Sequence, residues 1–492
     1  MTVLGHIAYI SLCLSLALSI PSSAFGSVSG ALVVVGLIGG WRYAWAFTNF
    51  VRAFVFLKFV YPRKKARAFA AYATQAHPAH AYFLVTSYKI EPDVTTRVYQ
   101  SIFRAAAVSA GGATIVCSVV DSADARLINQ VFSMMPEEMG HVRLIVDQIA
   151  GTGKRDALAR SLRLIAREAP TRHDIVLFVD GDSCVPLDIV AVTAPFFTNP
   201  DMGAVTTDEE VEIKATDMAL FRDWFALRFT QRQVMMSSMG LSDRVLTLTG
   251  RMSVIRADLA TDAGFINQVQ SDFIDHWRLG RVSFLTGDDK STWFWLLKNG
   301  YKMGYLPDVA SVSMESQPKP GFIDSAVTLM VRWFGNMLRT NGRALALPPG
   351  QIGYFTWWSI LDQRVGIWTT LAGPISVAMG AMFVEPLVLP AYVAWVMFTR
   401  YCYCCILSTV RGTAFPITYP MLLYFSQITG AAVKSYVLFR LDRQRWTRQS
   451  GVTKTRLAQP LGARLRSLSS VYSHSLALGW LTFGVVLLSG IA

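Results

Sequence analysis

The sequence has little that would cross-link it. Of its six cysteines, Cys13, Cys117, Cys184, Cys402, Cys404 and Cys405, only Cys402 and Cys405 have Cys-x-x-Cys spacing, and no second such pair stands elsewhere to complete a four-cysteine set. That pattern excludes a disulfide framework and a cysteine-based zinc site. Cys402, Cys404 and Cys405 share one apolar run and read as helix packing. Charged side chains are sparse, 16% of 492 residues, and acids are outnumbered, 33 Asp and Glu against 46 Lys and Arg. There is no internal repeat and no low-complexity tract, so a solenoid is excluded. The first apolar run has no basic region before it and no clear cleavage site, so residues 5–22 read as a retained anchor. The Gly151–Lys154 loop is not a Walker motif. That motif needs glycine where Gln148 stands and Ser or Thr where Arg155 stands.

Apolar residues are abundant instead: 52% of the chain, with a mean hydropathy of +0.36. Soluble chains rarely average positive, so membrane segments are expected. The net charge of +13 suits anionic lipid or an acidic substrate. Nucleic acid is disfavoured, because the basic residues are not interleaved with aromatics and gather beside apolar runs, at 63–67 and 440–466. The predicted layout is N-terminal transmembrane helices over 1–61 and a cytoplasmic α/β domain with interfacial helices over 62–348. Transmembrane or interfacial helices follow over 349–440, then a basic cytoplasmic segment over 441–472 and a C-terminal span over 473–492. Spanning candidates are 5–22, 31–60, 366–384, 387–409, 416–438 and 473–491. Positive-inside reasoning puts Arg63, Lys64, Lys65 and Arg67, the middle domain and 440–466 in the cytoplasm. Three crossings between 350 and 440 would misplace the last of these, so 413–430 is expected to be interfacial or re-entrant, leaving five or six spans.

In the middle, short β-rich runs alternate with helical patterns. Strands are predicted at 81–87, 113–120, 142–149, 174–180 and 202–207, and helices at 124–133, 155–168, 215–240 and 322–338. Such alternation predicts a mostly parallel sheet with ligand loops at its strand ends. The run IVLFVD ends in Asp180, with Asp182 two residues on. Two carboxylates at a strand's carboxyl edge can hold Mg²⁺ or Mn²⁺ against a diphosphate, although Asp-Gly-Asp also makes ordinary turns. Lys154, in Gly151–Asp156, can present an ammonium to phosphate, or can simply open a helix. Asp121 ends the 113–120 strand and can accept hydrogen bonds from a base or ribose. Asp288 and Asp289 stand together: adjacent like charges raise one pKa and suit a general base. They equally suit a helix N-terminus, with Thr286 near its cap. Arg332 and Trp333 pair a diphosphate-binding fork with a sugar-stacking indole, or form a common surface pair.

In this order, these residues resemble the processive family-two glycosyltransferases, the cellulose, chitin and hyaluronan synthases. The resemblance implies a GT-A nucleotide-sugar-binding domain. It implies donor contacts at Asp121, Lys154, Asp180 and Arg332, a divalent cation on Asp180 and Asp182, and Asp289 as catalytic base. It further implies acceptor contacts at Trp333 and Asp288. One departure is Leu329, where that family has glutamine in Gln-x-x-Arg-Trp. Longer stretches, including GTGKRDALA (151–159), LTLTGRMSVIRA (246–257) and DHWRLGRVSFLTGDDKSTWF (275–294), are more similar to the bacterial alginate (mannuronan) synthases. That similarity implies inverting transfer of mannuronate from GDP-mannuronate into a β-1,4-linked polymer, exported across the inner membrane. It also implies control by cyclic di-GMP through a separate PilZ-bearing subunit docked on 440–466, with periplasmic export proteins as further partners.

An anionic polymer needs cations. Arg251, His276, Arg278, Arg281 and Lys290 lie around the acceptor motifs in sequence, and Arg251 and Lys290 are candidate carboxylate contacts. Arg42, Asn49 and Arg52 share one helical face, and Arg400 lies inside another apolar run. Charges at membrane depth face protein or water. Arg42, Arg52 and Arg400 are therefore candidate channel contacts, with snorkelling to the interface the plainer alternative. Two rival readings remain: a synthase using another donor, such as a UDP-sugar, and a membrane scaffold or transporter without transfer chemistry.

Overall fold

The computed structural model describes residues 3–25, 29–135, 137–214, 216–283, 285–444 and 461–490. The chain opens with two helices, α1 (Val3–Leu18) and α2 (Ser29–Val55). A π-helical turn, Phe56–Val60, leads into the basic α3 (Tyr61–Ala73). The α/β domain follows, with strands β1 (Ala81–Thr86), β2 (Ala113–Val119), β3 (Val142–Gln148), β4 (Ile175–Asp180), β5 (Ser183–Cys184) and β6 (Met202–Ile213). Between them lie α4 (Pro92–Ala107), α5 (Ser122–Ser133), α6 (Lys154–Arg167) and α7 (Ile189–Thr193). After the long α8 (Ala219–Gly240) come β7 (Met252–Arg256), α9 (Ala257–Ala260), α10 (Ala263–Gln270) and the hairpin β8 (Phe273–His276) and β9 (Gly280–Ser283). The domain closes with α11 (Asp288–Lys298), β10 (Lys302–Glu315) and α12 (Phe322–Leu345). Last are α13 (Pro349–Ile352), α14 (Tyr354–Phe383), α15 (Val388–Arg411), α16 (Tyr419–Leu438) and α17 (Leu461–Ser489).

Eight strands form one sheet in the order β3-β2-β1-β4-β7-β6-β10-β5. Its first half is parallel, as the β-α alternation predicts. The sheet is mixed but mostly parallel, as expected: β6 and β10 are parallel to each other, and only β7, antiparallel to β4 and β6, and β5, antiparallel to β10, run the other way. Strands β1, β2 and β4 are buried along nearly their whole length. This is why they read as unbroken apolar runs. In α4 the residues Val98, Ile102 and Ala106 recur every fourth position and are buried together under the sheet.

A second core joins the domain to the C-terminal helices. Trp224 and Phe225 of α8 pack with Leu329, Met330 and Leu338 of α12 and with Leu422 and Leu423 of α16. Leu329 is 4% exposed. An amide there would be buried among aromatic and aliphatic groups, so the leucine fits its surroundings where the family's glutamine would not.

Among the described residues, three helices are long and apolar enough to cross a membrane: Tyr354–Phe383, Val388–Arg411 and Gly462–Ser489. Helix α16, in the run expected to be interfacial or re-entrant, is not among them; it packs on α12, α14 and α15. The N-terminal expectation holds less well. Helix α1 has 16 residues, short of the ~20 that a hydrocarbon core needs, and α2 is polar at Arg42, Asn49 and Arg52. The C-terminal helix starts at Leu461, not 473, so the predicted basic segment is helical from residue 461 onward. Residues 445–460 of that segment lie outside the described residues.

Candidate active site

Strands β1 and β4 are neighbours, with Thr86 opposite Asp180 at their carboxyl ends. The chain turns there through Gly181, whose amide donates to the Thr86 carbonyl. A Cβ on Gly181 would lie 2.4 Å from Ser87 Oγ, so only glycine lets the Asp-x-Asp turn sit this close to β1. Met314 N donates to the Asp182 carbonyl at 2.8 Å, and Ser183 pairs with Ser313 across β5 and β10. Both carboxylates are thus carried on a braced turn at the sheet edge, where open α/β sheets bind ligands.

Lys154 opens α6 directly after Gly153, whose φ of +125° is strained for any other residue. Its ammonium lies 2.6 Å from Asp180 Oδ1 and 3.0 Å from Asp288 Oδ2. Burial disfavours the charged lysine, but these two carboxylates outweigh it and hold the ammonium above the usual lysine range. Gly250 faces the pair; a Cβ there would come within 3.0 Å of Asp180 Oδ2. Burial, with Asp182 and Asp288 nearby, pushes the Asp180 carboxyl up to about 6 against the pull of Lys154. Asp289, half-buried in the first turn of α11, is also raised, by burial and then by Asp288. A recess lined by Thr86, Lys154, Asp180, Gly250, Asp288 and Asp289 joins these groups.

The two acidic motifs, distant in sequence, therefore converge through Lys154. Arg332 lies within electrostatic reach of Asp180, Asp182 and Glu315, and burial lowers its pKa. Trp333 stacks on Trp224, with centroids 5.8 Å apart, and the Arg228 guanidinium lies 3.6 Å from its ring centre. Asp121 is exposed and caps α5, its Oδ1 accepting from Ala123 N at 2.9 Å. The cap of α11 falls on Gly287, not Thr286; the Thr286 hydroxyl donates instead to Asn336 Oδ1 at 2.7 Å.

Several cations have other tasks than the sequence suggested. Arg251 is held by Glu315 at 2.7 Å and Glu209 at 3.4 Å, so its carboxylate partners belong to this chain. Lys290 is buried and donates to the Leu246 carbonyl at 2.7 Å. Burial lowers its pKa to about 8. Arg278 donates to Ser469 and Ser470 of α17 and to the Phe439 carbonyl, and Arg281 pairs with Asp275 on the exposed hairpin. His276 Nδ1 accepts from the backbone of the same turn. These three are engaged within the hairpin or with α16 and α17. Arg52 donates to the Ser238 carbonyl and to Ser242 Oγ and lies 3.5 Å over Phe355. It fastens α2 to the end of α8. Arg42 pairs with Asp362 at 2.7 Å, and Arg400 donates to Gln427 Oε1 at 2.6 Å.

Arg155 was read in the sequence only as a departure from a phosphate-loop pattern. Its buried guanidinium donates to the carbonyls of Leu285, Val269 and Gly287 and to Ser291 Oγ. The residue after the phosphate-loop lysine thus clamps the loop that carries Asp288 and Asp289. Arg155→Met removes the guanidinium from the Leu285 and Val269 carbonyls, while that of Gly287 keeps the Ser291 amide. The expected cost is about 3 kcal/mol of unfolding free energy, read as a lowered denaturant midpoint with unchanged slope.

Among the described residues, no three His, Cys, Asp or Glu side chains are grouped to hold a metal by themselves. The donor set fits a cation completed by phosphate and water: hard carboxylate oxygens at Asp180 and Asp182, whose negative charges act on one another and would be offset by a divalent cation. Magnesium is characteristically bound through one or two carboxylates plus substrate phosphates.

Residues 78–336 match the family model "Glycosyltransferase like family 2". The chain is 42% identical over 450 residues to the glycosyltransferase alg8 of Pseudomonas syringae pv. tomato, covering 90% of both chains. It is 39% identical over 456 residues to the glycosyltransferase alg8 of Azotobacter vinelandii, covering 92% of both. Among solved structures, it is similar to the mannosyltransferase PcManGT from Pyrobaculum calidifontis in complex with GDP-Man and Mn2+, with a TM-score of 0.43 and 16% identity over 78% of this chain and 98% of that one. The family match and the two relatives along nearly the whole chain establish it as a member of glycosyltransferase family 2, an enzyme with a GT-A-like transferase domain joined to apolar helices.

Proposed function

We propose that this enzyme polymerises mannuronate from GDP-mannuronate into β-1,4-linked poly-mannuronate and passes the product across the inner membrane. The observation that carries the catalytic part is the joining of Asp180 and Asp288 by one ammonium, with Asp289 beside them. The donor's diphosphate and the attacking hydroxyl need such adjacent sites. The sugar assignment is supported by the resemblance to alginate synthases and by the relatives' shared identity along nearly the whole chain.

In this reading Asp121 contacts the nucleoside, and Lys154 and Arg332 bear on the diphosphate. Asp180 and Asp182 would hold a divalent cation, Mg²⁺ or Mn²⁺, which would supply charge neutralisation on the leaving nucleotide. Lys154, between Asp180 and Asp288, offers its ammonium to the donor phosphates. Asp289 takes the proton from the acceptor 4-hydroxyl as its oxygen attacks the anomeric carbon from the side opposite the diphosphate. Configuration inverts, and GDP leaves. Trp333 presents a sugar-sized aromatic surface for the terminal residue of the polymer, with Asp288 also near the acceptor. Control is assigned to a PilZ-bearing cyclic di-GMP receptor docking near 440–466, and onward passage to periplasmic export proteins.

Titration of the full chain in nanodiscs with GDP and UDP, each with and without Mn²⁺, tests the donor half. Tighter, cation-dependent binding of GDP is expected. Preference for UDP would favour the alternative synthase, and binding of neither would favour a scaffold.

The base assignment has a pH signature. Because burial and Asp288 raise the Asp289 pKa, the deprotonated, active form is lost as pH falls through a value above the ordinary carboxylate range. The acid limb of kcat/KM, which reports the free enzyme, is expected above that of an exposed aspartate. A rate flat down to pH 4 would contradict the assignment.

A further inference from the structure

A run of cations leads away from the transferase site along the helix crossings behind Trp333. Arg228 of α8 begins it. Its guanidinium lies 3.6 Å from the centre of the Trp333 ring, and its Nη1 is buried without a hydrogen-bond partner among the described residues. Lys434 of α16 comes next. Its ammonium lies 4.5 Å from the centre of Phe334, the residue after Trp333. One turn earlier on the same face, Gly430 lets the Phe334 ring approach to ordinary contact, so α16 sits close enough for Lys434 to reach it. The charges of Arg42, Arg228 and Asp362 reach Lys434, and those of Glu315 and Glu209 reach Arg228. Arg42 in turn lies against Gly366 of α14, where a Cβ would come within 3.2 Å of its guanidinium. Arg400 donates to the Tyr43 hydroxyl beside it.

Among the described residues, the only salt bridge made by these four cations is that of Arg42 with Asp362. The carboxylates in reach are already paired, Asp362 with Arg42 and Glu209 and Glu315 with Arg251, which leaves an excess of desolvated positive charge; such charge is costly, and a protein retains it where an anion is to be met. A neutral glycan calls for none of this. Snorkelling does not account for Lys434, because its ammonium is engaged with the ring of a neighbouring helix and not with an interface. Arg52, which the sequence placed with Arg42, is excluded by its bonds to Ser238 and Ser242.

We propose that Arg228, Lys434, Arg42 and Arg400 form a cationic track that holds the carboxylates of a polyuronate as it leaves the transferase site past Trp333. The proposal deepens the mannuronate reading and rests on it. A carboxylate on the sugar next to the Trp333 surface would meet Arg228, and the following residues would meet Lys434 and then Arg42. Several weak, similar contacts suit a chain that must be held and still slide.

The test uses the full chain in nanodiscs and two probes: a mannuronate hexamer and the same hexamer with its carboxyls reduced to alcohols. Binding is measured at low and high salt, with GDP binding as the check of an intact transferase site. The wild type is expected to prefer the uronate by about 10-fold or more at low salt, a gap that closes as salt screens the charges. Lys434→Gln, alone and with Arg228→Gln, is expected to remove most of that preference, while GDP binding stays unchanged. Lys434→Arg, which keeps the charge, is expected to keep the preference. If the Gln variants bind GDP normally and still prefer the uronate as the wild type does, the track is overturned and the donor reading stands. If the wild type itself does not distinguish the hexamers, the uronate reading falls and the track with it.

Discussion

Asp289→Asn is expected to stop elongation while leaving donor binding intact. The substitution keeps size and shape but removes the basic oxygen. A positioned general base contributes about 10²–10⁴-fold, and the loss of polymer synthesis should fall in that range. The neighbouring carboxylate is a poor substitute, because Asp288 is already tied to Lys154 at 3.0 Å. GDP affinity should be unchanged, since the donor groups at Lys154 and Asp180 are untouched. Measured polymer release and GDP binding, side by side, check both halves. Retained elongation would move the base elsewhere, and lost GDP binding would make Asp289 a donor residue.

Asp180→Asn is expected to have a comparable effect of a different kind. It removes one carboxylate from the Asp-x-Asp turn and one partner from Lys154, which then remains with Asp288. Asn is a weak ligand for a hard divalent cation, so donor binding should lose its response to Mg²⁺ or Mn²⁺. The expected loss in kcat/KM is about 100-fold or more, in line with several kcal/mol from metal-assisted charge neutralisation. Titrating GDP with and without Mn²⁺ reads it directly. A variant whose GDP affinity still rises with Mn²⁺ would show that the cation is held without Asp180.

The legible part of the fold was the part with simple periodicity. Strands β1, β2 and β4 are apolar runs between turn residues because they are central and buried on both faces, whereas β3, at the sheet edge and half-exposed, showed through its β-branched residues. Strands β7 and β10 were not recognised. Strand β10 alternates buried and half-exposed positions and carries Lys302, Asp308 and Glu315, so it lacks an apolar run. Strand β7 has five residues, too short for a period to show. Its antiparallel insertion between β4 and β6 is a tertiary fact that no local pattern records.

At the site, the carboxylates were readable because Asp-x-Asp and Asp-Asp are local patterns, and Lys154 because glycines frame it. That Lys154 joins the two motifs was not readable, since it depends on how α6 and α11 meet. Arg155 was passed over because its partners are backbone carbonyls, which have no signature in sequence. Arg251 and Lys290 were singled out by proximity along the chain and Arg52 by its helical face, and the fold gives each a partner within this chain. Long basic side chains reach whichever carbonyl or carboxylate the fold brings near, as Lys290 reaches Leu246. Arg228 and Lys434 were invisible for the same reason: each sits in a helix without a distinguishing motif.

The most direct test is polymer synthesis by membranes carrying this chain together with its PilZ-bearing partner, supplied with Mg²⁺ and cyclic di-GMP. GDP-mannuronate, GDP-mannose, UDP-glucose and UDP-N-acetylglucosamine are offered separately, with Asp289→Asn as the control. The expected result is uronic-acid polymer and matching GDP release from GDP-mannuronate alone, both absent in the variant. Polymer from a UDP-sugar, with none from GDP-mannuronate, would contradict the substrate, and equal synthesis by Asp289→Asn would contradict the mechanism.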